Sequence, residues 1–191
     1  MSARRVPVLR WADEVCRLIS TATLASPSSF AQRRLWLLDR LHGQRATYNL
    51  PRAYRRQGVL DVGRLQQRLD ALVRAHEVLR TRLQFDDGDL QQVVVPELAV
   101  PIACRDLTAL PESGRLAVAL RDVHDDAVQP FDLTALPLLR VMLFVLGPDD
   151  HLFAFNVHHA MFDGWSESLF IDGLFAAPEV AAPPTQYRAF A

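Results

Sequence analysis

Residues 153–166 read FAFNVHHAMFDGWS. The stretch begins as an apolar strand and ends as the start of a helix, with two histidines and an aspartate between. Together with LLRVMLFVLG (138–147) and the turn PDD (148–150), it reads as strand, turn, strand, the second strand running to His159. Neighbouring strand residues point to opposite faces. His158 and His159 therefore do not converge on one metal ion, and no third ligand stands nearby, so the stretch is read as binding no metal. His158 fits a buried, hydrogen-bonded histidine. His159 ends the strand, where a side chain can reach a cleft. Asp163 follows four residues later, in a short turn, placed to orient its neighbours or to pair with an arginine. Gly164 allows a backbone conformation closed to other residues. Beyond it a helix is expected from Ser166, as N-cap, to about Ala176.

An imidazole titrates near neutrality and suits proton transfer. Backbone N–H groups at a helix start can stabilise a developing oxyanion. The spacing thus points to acyl transfer. No serine or cysteine stands in a nucleophile elbow, which favours a ternary reaction over a covalent acyl-enzyme.

Working outward, the pattern predicts a mixed α/β fold with antiparallel hairpins. Ser29 and Gln32 form a capping-box pattern ahead of a helix over 29–41, with Ala31, Leu35, Leu38 and Leu41 as its apolar stripe. A second helix runs from Asp61, a plausible N-cap, to Ala75, with Val62, Leu65, Leu69, Leu72 and Val73 facing one way. Residues 79–85 alternate as a strand, DDGD (86–89) turns the chain, and LQQVVV returns it. A short strand over 100–105 leads to a helix over 112–127, which PFDLTALP ends. Residues 7–20 form an amphipathic helix, either an ordinary packing helix or a docking element for another chain, and TATLASPSS (21–29) reads as a linker.

The chain has 191 residues, half of them hydrophobic, and a formal net charge of −1. That suits one globular domain or one lobe of something larger. There is no charge excess to suggest a nucleic-acid partner. Cys16 and Cys104 form no metal-ligand spacing and no disulfide framework. No apolar run reaches the roughly 18 residues a membrane span needs. Arg4 and Arg5 are followed by a stretch broken by Asp13, Glu14 and Arg17, a poor signal peptide. These features point to the cytoplasm.

VHHAMFDGWS resembles the His-His-x-x-x-Asp-Gly motif of condensation domains from nonribosomal peptide synthetases, and its shorter core is shared with acyltransferases such as chloramphenicol acetyltransferase. SFAQRRLWLL (29–38) matches the first condensation motif at Ser29, Ala31, Gln32, Arg34, Leu35, Trp36 and Leu38. HEVLRTRL (76–83) resembles the second, with Ala75 where that motif has arginine and Leu83 where it has phenylalanine. YNLP (48–51), GVLDVGRL (58–65) and PFDL (130–133) sit where such domains carry similar words, and QYRAF (186–190) resembles the start of the fourth motif.

The resemblance implies a two-lobed fold, each lobe like chloramphenicol acetyltransferase, with the active site on a tunnel between them. Residues 26–191 would be the N-terminal lobe, ending at the fourth motif, and residues 1–25 an extension carrying the possible docking helix. It implies that His159 sits beside the attacking amine, as general base or as the group that positions it and stabilises charge. Gly164 would offer its N–H to the thioester oxygen. His158 would pack, Asp163 would be structural in an ion pair with an arginine, and Arg34 and Arg80 are the candidates. The implied reaction is peptide-bond formation between substrates carried on the 4'-phosphopantetheine arms of donor and acceptor peptidyl carrier proteins, with no cofactor of the protein's own. The C-terminal lobe and adjacent synthetase domains are the further partners expected. Two readings stand beside this one: an acyltransferase of the same superfamily that uses coenzyme A or a carrier, and a non-catalytic docking fragment.

Overall fold

The computed structural model describes residues 23–43, 45–176, 183 and 185–190. The helix expected over 7–20 lies outside the described residues. In chain order the elements are β1 (Leu24–Pro27), α1 (Phe30–Leu41), β2 (Asn49–Gln57), α2 (Val62–Ala75), β3 (Thr81–Asp86), β4 (Asp89–Val94), β5 (Ile102–Asp106), α3 (Glu112–Ala127), β6 (Leu139–Gly147), β7 (Asp150–His158) and α4 (Gly164–Phe175). Short 3₁₀ turns cover Ala46–Tyr48, Glu77–Arg80 and Tyr187–Phe190.

The strands divide between two sheets. One is antiparallel with order β1-β4-β3; the other has order β2-β7-β6-β5, with only the β5–β6 pair parallel. The expected α/β class with a largely antiparallel arrangement is therefore what forms. β3 and β4 are joined by Asp87 and Gly88, both at positive φ (46° and 84°), the backbone that a two-residue hairpin turn with matching strand twist requires.

β7 lies in the interior of the four-stranded sheet, and that sheet is covered on both faces. Leu65, Leu69, Leu72 and Val73 of α2, with Phe170 and Leu174 of α4, meet Phe153, Phe155 and Val157 on one side. Ala119 of α3 meets Phe144, Leu146 and Leu152 on the other. Burial on both faces is why β6 and β7 read as near-continuous apolar runs. α2 and α4 approach so closely that a Cβ at Gly173 would come within 2.6 Å of Leu72.

Two expectations need correction, and one strand went unread. The segment read as a linker contains β1, which pairs with β4 from Leu24↔Val94 to Pro27↔Gln91. β2 was not expected from the sequence pattern; its run PRAYRRQ is an edge strand rich in arginine, and cationic side chains are a common way to keep an edge from pairing with other chains. The predicted stripe of α1 matches its inward face only in part: Leu35 packs against the core and Leu38 is half-buried, but the fully buried residues are Gln32 and Asp39, whereas Ala31 is exposed and Leu41 is 70% exposed. The capping box does form, with the Gln32 N–H donating to Ser29 Oγ (3.2 Å) and the Ser29 N–H to Gln32 Oε1 (3.0 Å).

Candidate active site

The site is a tight turn between β7 and α4. Residues 151–158 are all buried, and His159 is exposed. The His159 N–H donates to the Tyr48 carbonyl at 2.9 Å, which extends the β2–β7 ladder by one bond beyond Asn49↔His158. The chain then turns back: Met161 N–H donates to the His158 carbonyl at 3.0 Å. His159 Nδ1 lies 2.7 Å from the Phe162 carbonyl oxygen. A carbonyl can only accept, so Nδ1 carries a proton, and in the neutral form of the ring it is Nε2 that holds the lone pair.

His158 faces the opposite way. It is 1% exposed, flanked edge-on by the rings of Tyr48 and Phe131. Its Nδ1 accepts the Ala160 N–H at 3.1 Å. Burial, reinforced by the charge of His159, pushes its pKa down to about 4. His158 is therefore a neutral ring that holds the turn; it and His159 do not share a ligand.

Asp163, not Ser166, is the N-cap of α4. Its Oδ1 accepts from the Ser166 N–H at 2.8 Å and from Ser166 Oγ at 2.7 Å. These hydrogen bonds, with a smaller contribution from the Trp165 N–H and from His159, hold its carboxyl below the ordinary 3.8. The expected ion pair with an arginine is not formed among the described residues. Asp163 is exposed and its carboxylate is taken up by the cap. Arg34 is exposed on α1. Arg80 donates from a guanidinium N–H to the Val95 carbonyl, tying the 3₁₀ turn to the end of β4. Among the described residues neither arginine pairs with Asp163: Arg34 lies on α1 and Arg80 in the 3₁₀ turn before β3.

Gly164 is the first residue of α4, and it is not among the glycines at positive φ, so its backbone does not require glycine. What the missing side chain does is leave room: a Cβ there would meet nothing within 4 Å. The first N–H groups of a helix have no acceptor within it. An incoming oxygen atom can thus approach this end of α4 unobstructed.

Three side chains at this site carried no readable signal. Tyr54 Oη donates to Glu167 Oε1, and Arg52 Nε donates to Glu167 Oε2 at 2.7 Å. Burial and the bond to Glu167 push the Tyr54 phenol up to about 12. Burial works to raise the Glu167 carboxyl, but the bonds from Tyr54 and Arg52 outweigh it and the net shift is downward. The partners lie 113 and 115 residues apart.

The model of the condensation-domain family matches residues 25–191. The chain belongs to the condensation-domain family. A linear gramicidin synthase of Brevibacillus parabrevis is 38% identical over 174 residues, covering 86% of this chain and 2% of that protein. Phosphinothricin tripeptide synthetase PhsC of Streptomyces viridochromogenes is 41% identical over 174 residues, covering 86% of this chain and 16% of that protein. Among solved structures, the starter condensation domain of rhizomide synthetase RzmA aligns with TM-score 0.73 at 25% identity, over 79% of this chain and 38% of that one. The first condensation domain of the calcium-dependent antibiotic synthetase, in complex with a substrate analogue, aligns with TM-score 0.72 at 27% identity, over 79% of this chain and 36% of that one. This condensation-domain chain therefore spans a small fraction of these curated relatives and well under half of the solved chains. Among its described residues no helix is long and apolar enough to cross a membrane.

Proposed function

We propose that the chain is the N-terminal lobe of a condensation domain that forms peptide bonds between carrier-bound substrates. The single observation that carries the reading is the orientation of His159: an exposed imidazole, held through Nδ1 by the Phe162 carbonyl, with Nε2 left free to act on a proton. The amine of a downstream aminoacyl thioester attacks the carbonyl carbon of an upstream aminoacyl or peptidyl thioester. His159 Nε2 takes the proton that the nitrogen loses as the C–N bond forms. The negative oxygen of the tetrahedral intermediate lies at the start of α4, against the Gly164 N–H. Collapse breaks the C–S bond, and the proton passes from His159 to the departing thiolate of the phosphopantetheine arm. Both reactants arrive tethered to donor and acceptor peptidyl carrier proteins, so positioning supplies much of the rate, and the chain contributes no cofactor of its own. Asp163 and His158 serve by holding the turn.

An exposed His159 lacks the water exclusion that strengthens electrostatic stabilisation. The proposal therefore includes a C-terminal lobe closing over this face, with adjacent synthetase domains delivering the carriers. The test mixes loaded donor and acceptor carrier proteins with either the complete two-lobed domain or this chain alone, and follows the acceptor by intact mass. The expected result is condensed product with the complete domain and none above the enzyme-free rate with the chain alone. Product from coenzyme-A thioesters as fast as from carriers would favour the acyltransferase reading and overturn this one.

A further inference from the structure

The turn that carries His159 is fastened at both ends, to Tyr48 just before β2 and to side chains of β2 itself, and the two fastenings differ in kind. At its start the bond is backbone to backbone, from the His159 N–H to the Tyr48 carbonyl. Beyond its end it is made of side chains: Glu167, in the first turns of α4, receives Tyr54 Oη on one carboxylate oxygen and Arg52 Nε on the other. Arg52 and Tyr54 are two residues apart in β2 and share a face of the strand. Tyr54 is itself held by its ring, stacked on Phe155 of β7 at 6.4 Å and 18°. Arg52 is braced by its own strand, with Nη1 donating to the Pro51 carbonyl at 3.0 Å. Both donors are thus fixed before Glu167 arrives.

We propose that Arg52, Tyr54 and Glu167 form a clamp that positions the start of α4 relative to His159, and so sets where the Gly164 N–H stands against the imidazole. This rests on the reading of His159 and Gly164 as the reacting pair. The three are positioning residues; none touches a reacting atom. Asp163 caps the helix from within and fixes its first turn, while Phe170 and Leu174 seat its later turns against the sheet. Glu167 ties the first turn itself to the sheet, because its N–H is bonded to the Asp163 carbonyl at 3.1 Å while its carboxylate is bonded to β2.

The experiment uses the complete condensation domain carrying Tyr54→Phe, Glu167→Gln or Arg52→Lys, with Asp150→Asn as control. Asp150 makes a comparable pair with Arg55 (2.7 and 2.9 Å) at the far end of the same β2–β7 ladder. Two readouts are taken. The first is steady-state condensation with loaded carriers. The second is NMR of the ring nitrogens of His159 and the amide of Gly164. Expected for Glu167→Gln and Tyr54→Phe is a kcat lowered by about 10-fold with KM for the carriers little changed, within the range that small misplacements of a reacting group produce. The Gly164 amide should shift and the Nδ1-protonated form of His159 should lose population. Arg52→Lys should fall between these and wild type, and Asp150→Asn should leave both readouts in place. Tyr54→Phe removes one hydroxyl and keeps the stacked ring, so it separates the clamp from a general loss of folding. Unchanged Gly164 and His159 signals in Tyr54→Phe and Glu167→Gln would overturn the clamp. If those signals move while His159→Ala condenses at the wild-type rate, the clamp stands and the assignment of His159 falls.

Discussion

Gln32, in the first turn of α1, reaches the turn after His159 and donates from Nε2 to Met161 Sδ at 3.8 Å, across 129 residues of sequence. The same amide nitrogen lies 3.2 Å from Gln92 Oε1 on β4, and Gln92 Nε2 donates to the Pro27 carbonyl on β1 at 2.9 Å. Gln32 Oε1 completes the capping box of its own helix. One buried amide therefore joins the helix cap, the three-stranded sheet and the floor of the site.

Replacing Gln32 by leucine should leave Gln92 Oε1 buried without a donor. The expected cost is about 1–3 kcal/mol, read as a melting temperature lower by roughly 2–4 °C for each kcal/mol in a chain of this size. The double variant with Gln92→Leu should lose less than the sum of the two single changes. Additive losses would show that the two amides act independently.

His159→Ala in the complete domain should lower condensation by about 10²–10⁴-fold, the usual contribution of a positioned acid or base, while carrier loading and melting temperature stay at wild-type values. Exposure of the ring is the reason stability should not change. A variant that condenses normally in the intact-mass assay would remove His159 from the mechanism.

Asp163→Ala should cost about 0.5–2 kcal/mol, the range for losing an N-cap, and not the roughly 3–5 kcal/mol of a broken buried ion pair. Asp163→Ser should recover most of it. The capped carboxyl titrates below its ordinary 3.8. It therefore contributes stability that is fully present above that value and is lost as pH falls through the folded-state value. Acid titration followed by circular dichroism should show a steeper loss in wild type than in Asp163→Ala, the remaining slope coming from lowered carboxyls such as Asp150 and Glu167.

His158 acts in a different pH window. Folded, it titrates near 4; unfolded, near 6.5. Between these values the unfolded chain binds a proton that the folded one refuses, so stability falls as pH drops from 6.5 to about 4. Burial lowers His76 too and adds a slope of the same sign. The measurement is the difference: His158→Leu should be less stable at pH 8, since the Ala160 N–H loses its acceptor, yet should lose less on acidification than wild type. Equal slopes would place the titrating group elsewhere.

What was legible in the sequence was local. α2, α3 and the β3–β4 hairpin follow from periodicity, an N-cap and an Asp-Gly turn, all within a few residues of one another. The turn from His158 to Gly164 was legible for the same reason, since its residues are contiguous. What escaped depends on distant partners. β1 is four residues ending in proline, and only β4 makes it a strand. β2 carries Arg52, Arg55 and Arg56 and is recognisable only beside β7. The leucines of α1 outnumber its buried polar residues, yet Gln32 faces inward because Gln92 and Met161 await it. Arg34 and Arg80 illustrate the opposite error: a charge opposite in sign to Asp163 was available in the sequence, but no element carries it to the turn.

The interior position of β7 also fixes an order of events during synthesis. β2 and β6 share no edge; each is bonded to β7, which follows both in the chain. A ribosome that has released the chain only as far as β6 has released a sheet with its middle strand missing. β5 already pairs with one edge of β6, but the edge that β7 will take, from Leu139 to Gly147, stays open until it emerges, as does its edge of β2. Non-local pairings of this kind are slow to form and expose apolar surface while they wait. The last strand of this sheet to leave the exit tunnel is thus the one that completes it and delivers His159, so an interrupted translation product that stops short of β7 would present sticky, unpaired edges to the quality-control machinery of the cell.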